Sequence, residues 1–216
     1  MTKIKAVLFD LDGTLVDTFL DLYDATNYSM TKTHNPTRTE SEIKSFVGRG
    51  VNNLVHSALG DNVKSESEAR EYFIEYYNSH LTAKSLPYPG IPKLVNDLIK
   101  KGYILGVVTN KREHLAEKIV EFFFPSLFSA VVGERKGFPT KPNPDMIERA
   151  LELLGVDAKE TVFVGDSEID YYTAINADVT GITCTWGFSD KADLMKLSPE
   201  YIVDYPAEIL KILKTL

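Results

Sequence analysis

Short apolar runs alternate with helical segments through the second half of the chain, and this alternation restricts the fold more than any other feature. Four runs end at or near glycine, aspartate or asparagine: Tyr103 to Val108, Ala130 to Val132, Thr161 to Val164 and Val179 to Thr183. The segments between them carry apolar residues at helical spacing. Alternating strands and helices, joined by right-handed crossovers, predict an α/β fold with a parallel sheet between two helical layers. In such a fold ligands gather at the carboxyl ends of the strands.

The segment between the first apolar run and these strands has a different character. It lacks strand-like runs and contains two patterns typical of helix starts, Thr39-x-x-Glu42 and Ser65-x-x-Glu68. Its aromatic residues recur on single helical faces, a pattern typical of core packing. We therefore predict a small all-helical domain over residues 16–86, called here the helical insert. Residues 1–15 and 87–216 would form the three-layer, Rossmann-like α/β/α core.

The composition restricts the partners of the chain. A formal charge of −7 over 216 residues argues against a broad surface for nucleic acid or anionic membrane, because both need clustered lysine and arginine. Cys184, the only cysteine, excludes an intramolecular disulfide and favours a small buried side chain in a cytoplasmic protein. We expect no secretion signal and no membrane span. A small molecule is the expected partner, and monomer and dimer both remain open.

Two carboxylates, Asp10 and Asp12, directly follow the first hydrophobic run, in the segment Asp10-Leu11-Asp12-Gly13-Thr14. Burying both is costly because each opposes ionisation of the other, and a bound metal would relieve that cost. One could be a metal-bound nucleophile and the other a proton donor. The alternative is an acidic turn that caps the following helix.

Two further segments could bind an anion. Thr109 and Asn110 end a buried run just before a helix expected to begin near Arg112, so they could donate hydrogen bonds to phosphate oxygens. Thr109 could equally be a helix N-cap. Lys141 precedes a helix whose start is defined by two prolines, which makes it a candidate phosphate ligand, with an ordinary surface lysine as the alternative.

A second acidic cluster, Gly165-Asp166-Ser167-Glu168-Ile169-Asp170, also follows a predicted strand. Asp166 could ligate a metal, and Asp170 could orient neighbouring groups. Helix capping by Ser167 is the alternative.

In this order, the four segments resemble the motifs of the haloacid dehalogenase-like phosphatase superfamily, and the resemblance covers nearly the whole chain. The matching features are DxDGT at Asp10 to Thr14, Thr109 at a strand end, Lys141 before proline, and GDSxxD at Gly165 to Asp170. The helical insert resembles the cap of the phosphoglycolate phosphatase and β-phosphoglucomutase branches.

The resemblance implies a Mg²⁺-dependent phosphatase that acts on a small phosphorylated metabolite. Asp10 would be the nucleophile that becomes an aspartyl phosphate, and Asp12 the acid and base. The implied metal ligands are Asp10, the backbone carbonyl of Asp12, and Asp166. Asp170 would orient the neighbouring groups without binding the metal. The implied phosphate ligands are Thr109, the Asn110 amide and Lys141.

The substrate prediction depends on Arg49, which two glycines flank in a loop similar to the cap loop of phosphoglycolate phosphatases. Arg49 could pair with a substrate carboxylate, which favours 2-phosphoglycolate. Arg49 as a plain surface charge is the alternative. Pyrophosphate, nucleoside monophosphates, sugar phosphates and a β-phosphoglucomutase-like transfer also remain open. The insert offers no clearly placed lysine for phosphonate hydrolysis.

The alternative to an enzyme is a non-catalytic protein that binds a phosphorylated ligand. It is disfavoured because Asp10 and Asp12 are both present. Two smaller features complete the predictions. Asp178 stands where a left-handed turn is expected after a helix. The basic loop around Arg135 and Lys136 could border the site entrance or be an ordinary solvated loop.

Overall fold

A computed structural model describes residues 3–216 of the chain; Met1 and Thr2, with which the first core segment was expected to begin, lie outside the described residues. The strands are β1 (Ala6–Phe9), β2 (Val16–Asp17), β3 (Leu86–Pro87), β4 (Ile104–Arg112), β5 (Ala130–Glu134), β6 (Thr161–Gly165), β7 (Thr180–Cys184) and β8 (Tyr201–Val203). The helices are α1 (Phe19–Lys32), α2 (Glu40–Phe46), α3 (Gly50–Leu59), α4 (Glu66–Ser79), α5 (Ile91–Lys100), α6 (Glu113–Phe123), α7 (Asp145–Leu154), α8 (Glu168–Asn176), α9 (Lys191–Lys196) and α10 (Ile209–Ile212).

The main sheet has six strands in the order β5-β4-β1-β6-β7-β8, and every neighbouring pair is parallel. The first strand lies inside the sheet, where Ala6 is opposite Ile104 on one side and Thr161 on the other. All four residues of β1 are buried, as expected for a strand covered on both faces. The chain therefore leaves β1 at the middle of the sheet's carboxyl edge.

Helices cover both faces of the sheet. On one face α5, α6 and α10 pack against side chains such as Val7, while on the other face α7 and α8 pack against Leu8. Successive residues of a strand point to opposite faces, so one apolar strand supplies both layers. The three-layer α/β/α fold predicted from the alternation of strands and helices is confirmed.

The fourth strand is longer than predicted. It continues to Arg112, so Thr109 and Asn110 lie within its last residues, and its pairing with β5 shifts register between Val108 and Arg112. The next helix begins at Glu113, so the alternative role of Thr109 as its N-cap is wrong.

The helical insert begins and ends at a short antiparallel pair, β2 with β3, and contains α1 to α4. These four helices share a hydrophobic cluster that includes Leu22, Met30, Phe73 and Tyr77. Leu115 of α6 joins the same cluster, so the insert packs directly on the core. The apolar faces that the sequence predicts for these helices supply the residues of this cluster.

The two predicted helix starts in the insert have different outcomes. The Thr39 hydroxyl accepts a hydrogen bond from the Glu42 N–H (3.3 Å), and the Glu42 carboxylate accepts one from the Thr39 N–H (2.8 Å), which confirms the capping box. The Ser65 capping box is wrong. A 3₁₀ turn precedes α4, and the Ser65 hydroxyl donates to the Asn62 carbonyl (3.4 Å) instead of capping the helix.

Two smaller predictions are confirmed. Asp178 has a φ of 52°, in the left-handed region that ends a helix, and Cys184 is buried. Among residues 3–216, no helix combines the length and apolar character needed to cross a bilayer.

Candidate active site

A tight turn after β1 positions the first acidic pair. The Asp10 N–H donates to the Val164 carbonyl of β6 (2.8 Å), which fixes Asp10 at the sheet edge. Gly13 has a φ of 90°, a conformation that favours glycine. A Cβ at Gly13 would also lie 2.4 Å from Oδ2 of Asp166, so the turn and the second acidic cluster approach each other only because this residue is glycine.

Lys141 lies buried between two carboxylates, which excludes its alternative role as a surface lysine. Its Nζ is 2.9 Å from Oδ1 of Asp10 and donates a hydrogen bond of 2.6 Å to Oδ1 of Asp170. Oδ2 of Asp170 accepts from both the N–H and the hydroxyl of Ser167 at the start of α8. Ser167 also caps that helix, because its hydroxyl accepts the Asp170 N–H (3.2 Å). The same residues therefore start the helix and hold the lysine.

Asp166 is held from two directions. Its Oδ1 accepts a hydrogen bond from the Thr14 hydroxyl (3.0 Å), and its Oδ2 accepts one from the Phe188 N–H (2.8 Å). Gly187 permits the second contact, since a Cβ there would lie 2.2 Å from Oδ2 of Asp166. The loop after β7 therefore helps to form the site, and no sequence motif indicated this.

The acidic cluster carries an excess of negative charge. Carboxylate oxygens of Asp10, Asp166 and Asp170 lie within 4.8 Å of one another, and among residues 3–216 Lys141 is their one ammonium partner, so two negative charges lack a counterion when all three carboxyls are ionised. Burial, with a smaller contribution from the neighbouring carboxylates, raises the pKa of Asp10 to about 7 and that of Asp166 to about 8, although Lys141 acts in the opposite direction on Asp10.

A divalent cation would fit this cluster. Oδ1 of Asp10 is buried and has no hydrogen-bond partner in the part of the chain that the structure describes, because its close contact with Lys141 is an ion pair without hydrogen-bond geometry. Carboxylate oxygens are the donors that Mg²⁺ prefers, and two uncompensated negative charges match its charge. The donor set and the free oxygen both support a metal at Asp10 and Asp166.

Asp12 has a cationic partner that the sequence analysis missed. Lys111 Nζ donates to both carboxylate oxygens of Asp12 at 2.8 Å, and the Thr18 hydroxyl donates to Oδ1 at 2.7 Å. Burial lowers the pKa of Lys111, but Asp12 and Tyr77 outweigh it and keep that pKa above its usual value. The available signal was a lysine that directly continues an apolar strand.

Asn110 joins the helical insert to the core. Its side-chain amide donates to the carbonyl of Gly48 in the insert (3.0 Å) and to the carbonyl of Lys141 (3.1 Å), and its Oδ1 accepts the Lys141 N–H (2.8 Å). This side chain is therefore engaged in structural contacts. Its neighbour Thr109 is buried, and the Thr109 hydroxyl accepts the Lys111 N–H (3.3 Å).

Two cavities meet at Asp10 and Asp12. One has a volume of about 650 Å³ and is also lined by Lys44 of α2 and by the loop after β7. The other has a volume of about 40 Å³ and lies toward the apolar residues Leu22 and Val51 of the insert. The site therefore offers both a roomy approach and a small inner space.

Arg49 lies apart from both of these cavities. It is exposed and lines a third cavity, of about 400 Å³, together with Asn110 and Lys141. The basic loop borders a fourth cavity, in which Arg135 forms an ion pair with Glu113. The lining of this fourth cavity includes none of the four aspartates Asp10, Asp12, Asp166 and Asp170.

Comparisons with known proteins agree on one family for this chain. A family model described as haloacid dehalogenase-like hydrolase matches residues 7–184. A phosphoglycolate phosphatase of Haemophilus influenzae is 30% identical over 98% of this chain and 99% of its own length. An N-acetylmuramic acid 6-phosphate phosphatase of Pseudomonas aeruginosa is 32% identical over 98% of this chain and 95% of its own length.

A solved structure agrees in fold. The crystal structure of a predicted phosphoglycolate phosphatase from Haemophilus somnus superimposes with a TM-score of 0.91 at 30% sequence identity, and the match covers 98% of this chain and 99% of that one.

Proposed function

Because the chain belongs to the haloacid dehalogenase-like hydrolase family and is a phosphatase similar to phosphoglycolate phosphatases, we propose that it hydrolyses a small phosphomonoester with Mg²⁺ through an aspartyl-phosphate intermediate. The observation that carries this proposal is the buried cluster at the carboxyl edge of the sheet. There an aspartate oxygen without a hydrogen bond faces an ammonium and two further carboxylates.

In the first step, one carboxylate oxygen of Asp10 attacks phosphorus and the bond to the leaving oxygen breaks. Asp12 gives a proton to that oxygen, which leaves as an alcohol. We assign Lys141 and Thr109 as ligands of the phosphoryl oxygens. The side-chain amide of Asn110 is occupied, so we assign the phosphate contact to its backbone N–H.

In the second step, water attacks the phosphorus of the aspartyl phosphate, the bond to Asp10 breaks and phosphate is released. Asp12 takes a proton from the attacking water. The pairing of Asp12 with Lys111 and Thr18 corresponds to the ionised form that this step requires. Asp170 keeps Lys141 at the phosphate position throughout.

We assign the metal ligands to a carboxylate oxygen of Asp10, the backbone carbonyl of Asp12 and a carboxylate oxygen of Asp166. When bound, Mg²⁺ supplies positive charge that offsets the charge of the phosphoryl group in the transition state. Thr14 and the loop containing Gly187 hold Asp166 in place for this task.

The proposed substrate is 2-phosphoglycolate. Relatives about 30% identical over nearly the whole chain are phosphoglycolate phosphatases, and a small leaving group suits the inner cavity of about 40 Å³. Arg49 stays a candidate ligand for the substrate carboxylate, although it lines a different cavity from Asp10 and Asp12.

A sugar phosphate is the second candidate. The cavity of about 650 Å³ beside Asp10 has room for a sugar, and one relative acts on N-acetylmuramic acid 6-phosphate. Product analysis distinguishes hydrolysis from mutase activity, because only hydrolysis releases inorganic phosphate in step with substrate loss. Pyrophosphate belongs in the same substrate panel.

We further propose that the helical insert, residues 16–86, acts as a cap that excludes bulk water, and that the protein works in the cytoplasm. The hydrogen bond from Asn110 to Gly48 supports the first proposal, because it ties the insert to the core at the site. The single buried cysteine is compatible with the second.

The test of the reaction is Asp10→Asn, assayed by phosphate release with Mg²⁺ over a panel of phosphate esters. We expect the variant to lose at least about 1,000-fold in kcat, because an amide oxygen cannot replace the carboxylate nucleophile. Mass spectrometry after acid quench should find a phosphorylated peptide containing residue 10 in the wild type alone. Asp61→Asn, at an exposed aspartate, is the matched control. Undiminished turnover by Asp10→Asn would refute the mechanism.

The test of the substrate ligand is Arg49→Ala, compared on 2-phosphoglycolate and on a neutral ester of the same size. If Arg49 pairs with the carboxylate, selectivity for 2-phosphoglycolate falls. Unchanged selectivity removes Arg49 from the substrate site and leaves the proposed reaction intact.

A further inference from the structure

Lys111 and Tyr77 are polar and deeply buried; the proposed reaction uses Lys111 only as the partner of Asp12 and gives Tyr77 no task. Lys111 is 6% exposed and Tyr77 is 1% exposed, so neither side chain is explained by contact with water. Lys111 belongs to the core strand β4, whereas Tyr77 belongs to α4 of the helical insert. Buried polar groups of this kind normally find partners inside the protein.

Within residues 3–216, the hydroxyl of Tyr77 has no partner in hydrogen-bond geometry, and Lys111 is its cationic neighbour. The nearby carboxylate of Asp21 cannot serve, because it already accepts from the N–H groups of Lys84 and Ser85 and from the Ser85 hydroxyl. An unpaired buried hydroxyl costs free energy unless a ligand satisfies it.

Lys111 also has unused capacity to donate. Its ammonium carries three N–H groups, and two of its hydrogen bonds go to the two oxygens of Asp12. The same Nζ lies 4.9 Å from the centre of the Tyr77 ring, so the lysine and the tyrosine are neighbours. A cation and a hydroxyl donor therefore lie side by side next to the acid and base.

The inner cavity connects Lys111 to the reaction, whereas Tyr77 lies beside Lys111 and is not part of the cavity lining. The cavity is lined by Asp10, Asp12 and Lys111, with Leu22 and Leu54 forming an apolar wall. Its volume of about 40 Å³ is small, which suits a leaving group of a few heavy atoms that ends in a polar group. Asp12, which protonates the leaving oxygen, lines this cavity, so a small leaving group has access to it.

We propose that Lys111 and Tyr77 form a subsite for an anionic group, such as a carboxylate, on the leaving group of the substrate. This inference rests on the proposed phosphatase function and names the residues that select its substrate. The carboxylate accepts one hydrogen bond from Lys111 Nζ and one from the Tyr77 hydroxyl. A neutral leaving group leaves both donors unsatisfied, and sites with that property reject such analogues strongly.

The experiment compares 2-phosphoglycolate with 2-hydroxyethyl phosphate, which replaces the carboxylate by a neutral alcohol. The variants are Tyr77→Phe, which removes one oxygen, and Lys111→Met, which keeps length and removes the charge. The measured quantity is the ratio of kcat/KM for the two esters. We expect the ratio to fall about 10-fold in Tyr77→Phe and at least about 100-fold in Lys111→Met.

The ratio separates recognition from general damage, because Lys111 also contacts Asp12 and its removal slows turnover of both esters. Inhibition by free glycolate, compared with ethylene glycol, gives a second readout that does not depend on turnover of the substrate. The inhibition constant of glycolate should rise in both Tyr77→Phe and Lys111→Met. Tyr76→Phe on the same helix and Lys118→Met on α6 are matched controls at more exposed positions.

An unchanged ratio in both Tyr77→Phe and Lys111→Met overturns the subsite, and a ratio that falls only in Arg49→Ala assigns the anion to Arg49. A wild type that prefers the neutral ester also overturns it, while the phosphatase function stands. If the wild type hydrolyses no ester of the panel, the proposed function itself fails. If Lys111→Met does not fold, Tyr77→Phe alone decides.

Discussion

Replacing Gly13 by alanine separates two roles that this glycine has in the structure. Gly13 has a φ of +90°, and Gly102 has a φ of +85°, but a Cβ at Gly102 would meet nothing within 4 Å. Both Gly13→Ala and Gly102→Ala therefore impose the same backbone strain, of about 1–2 kcal/mol. Only Gly13→Ala also drives a methyl group into the carboxylate of Asp166, at 2.4 Å from Oδ2.

The size of the second effect follows from that overlap. Ordinary contact begins near 3.4 Å, so the Asp166 carboxylate must retreat by about 1 Å. Its hydrogen bonds from Thr14 and the Phe188 N–H cannot both survive this, and losing one costs about 1.5–3 kcal/mol. Displacing a catalytic group by about 1 Å reduces turnover about 100-fold.

The assay is thermal unfolding together with kcat/KM as a function of Mg²⁺ concentration. For a chain of this size each kcal/mol lowers Tm by about 2–4 °C, so Gly102→Ala should lose about 2–8 °C and Gly13→Ala about 5–20 °C. Gly13→Ala should also lose about 100-fold in kcat/KM and need more Mg²⁺, whereas Gly102→Ala should keep kcat/KM within about twofold. Equal losses in the two variants would show that Asp166 is not held where the structure has it.

Three further predictions concern the same edge of the sheet. Asp170→Asn should lower Tm and reduce kcat/KM about 10-fold to 100-fold in steady-state assays, since Lys141 loses its buried partner at 2.6 Å. Asn110→Ala should raise KM and lower the free energy of unfolding by about 2–4 kcal/mol in urea, since three hydrogen bonds, one of them to Gly48, are lost. In EDTA, Tm should fall from pH 4 to pH 8, because the buried Asp166, with a pKa raised to about 8, keeps in the folded state a proton that the unfolded chain releases.

Each of these predictions has a control and a contrary result. Asp145→Asn, on the first turn of α7, controls for charge in the first case, and equal effects of both variants would contradict the prediction. Asn96→Ala, on α5, is the control for Asn110→Ala, and an unchanged KM would show that the insert does not depend on Asn110. For the pH dependence of Tm in EDTA, Asp166→Asn is the control and should flatten the fall of Tm with pH, whereas added Mg²⁺ should reverse that fall. A wild-type Tm that rises with pH in EDTA would contradict the prediction.

The sequence was sufficient for the fold and for the residues that follow strands. Asp10 and Asp166 were found because each comes directly after a buried apolar run, and parallel strands bring their carboxyl ends to one edge. Lys141 was found by its prolines and by family resemblance. Local periodicity contains this information because each strand is buried on both faces and bounded by polar residues.

Features that depend on tertiary packing were not predicted. Strands β2, β3 and β8 have two or three residues, too few to show a periodic pattern. Lys111 was missed because a helix was expected near Arg112, which would have left this lysine in a surface loop. The strand continues instead to Arg112, and its register shift against β5 accompanies the burial of Lys111.

The contact between Tyr77 and Lys111 could not be predicted from the helical periodicity of α4 alone. The aromatic residues of α4 were interpreted as core packing, and Phe73 and Tyr77 are indeed buried in the cluster of the insert. The spacing could not show that one hydroxyl of this face would lie beside a lysine of the core. That contact depends on how α4 packs against β4, and no local pattern encodes the packing of the insert on the core.

The division of residues between core and insert links substrate choice to closure. Asp10, Asp12, Lys141 and Asp166 all come from core segments, so the insert can move without dismantling the attack at phosphorus. The proposed subsite pairs Lys111 of the core with Tyr77 of the insert, 4.9 Å apart from ammonium to ring. A carboxylate that bonds to both stabilises the closed arrangement, and a neutral group does not. Selectivity for an anionic leaving group should therefore appear in kcat as well as in KM, because part of the binding energy is used to exclude water before the bond to phosphorus breaks.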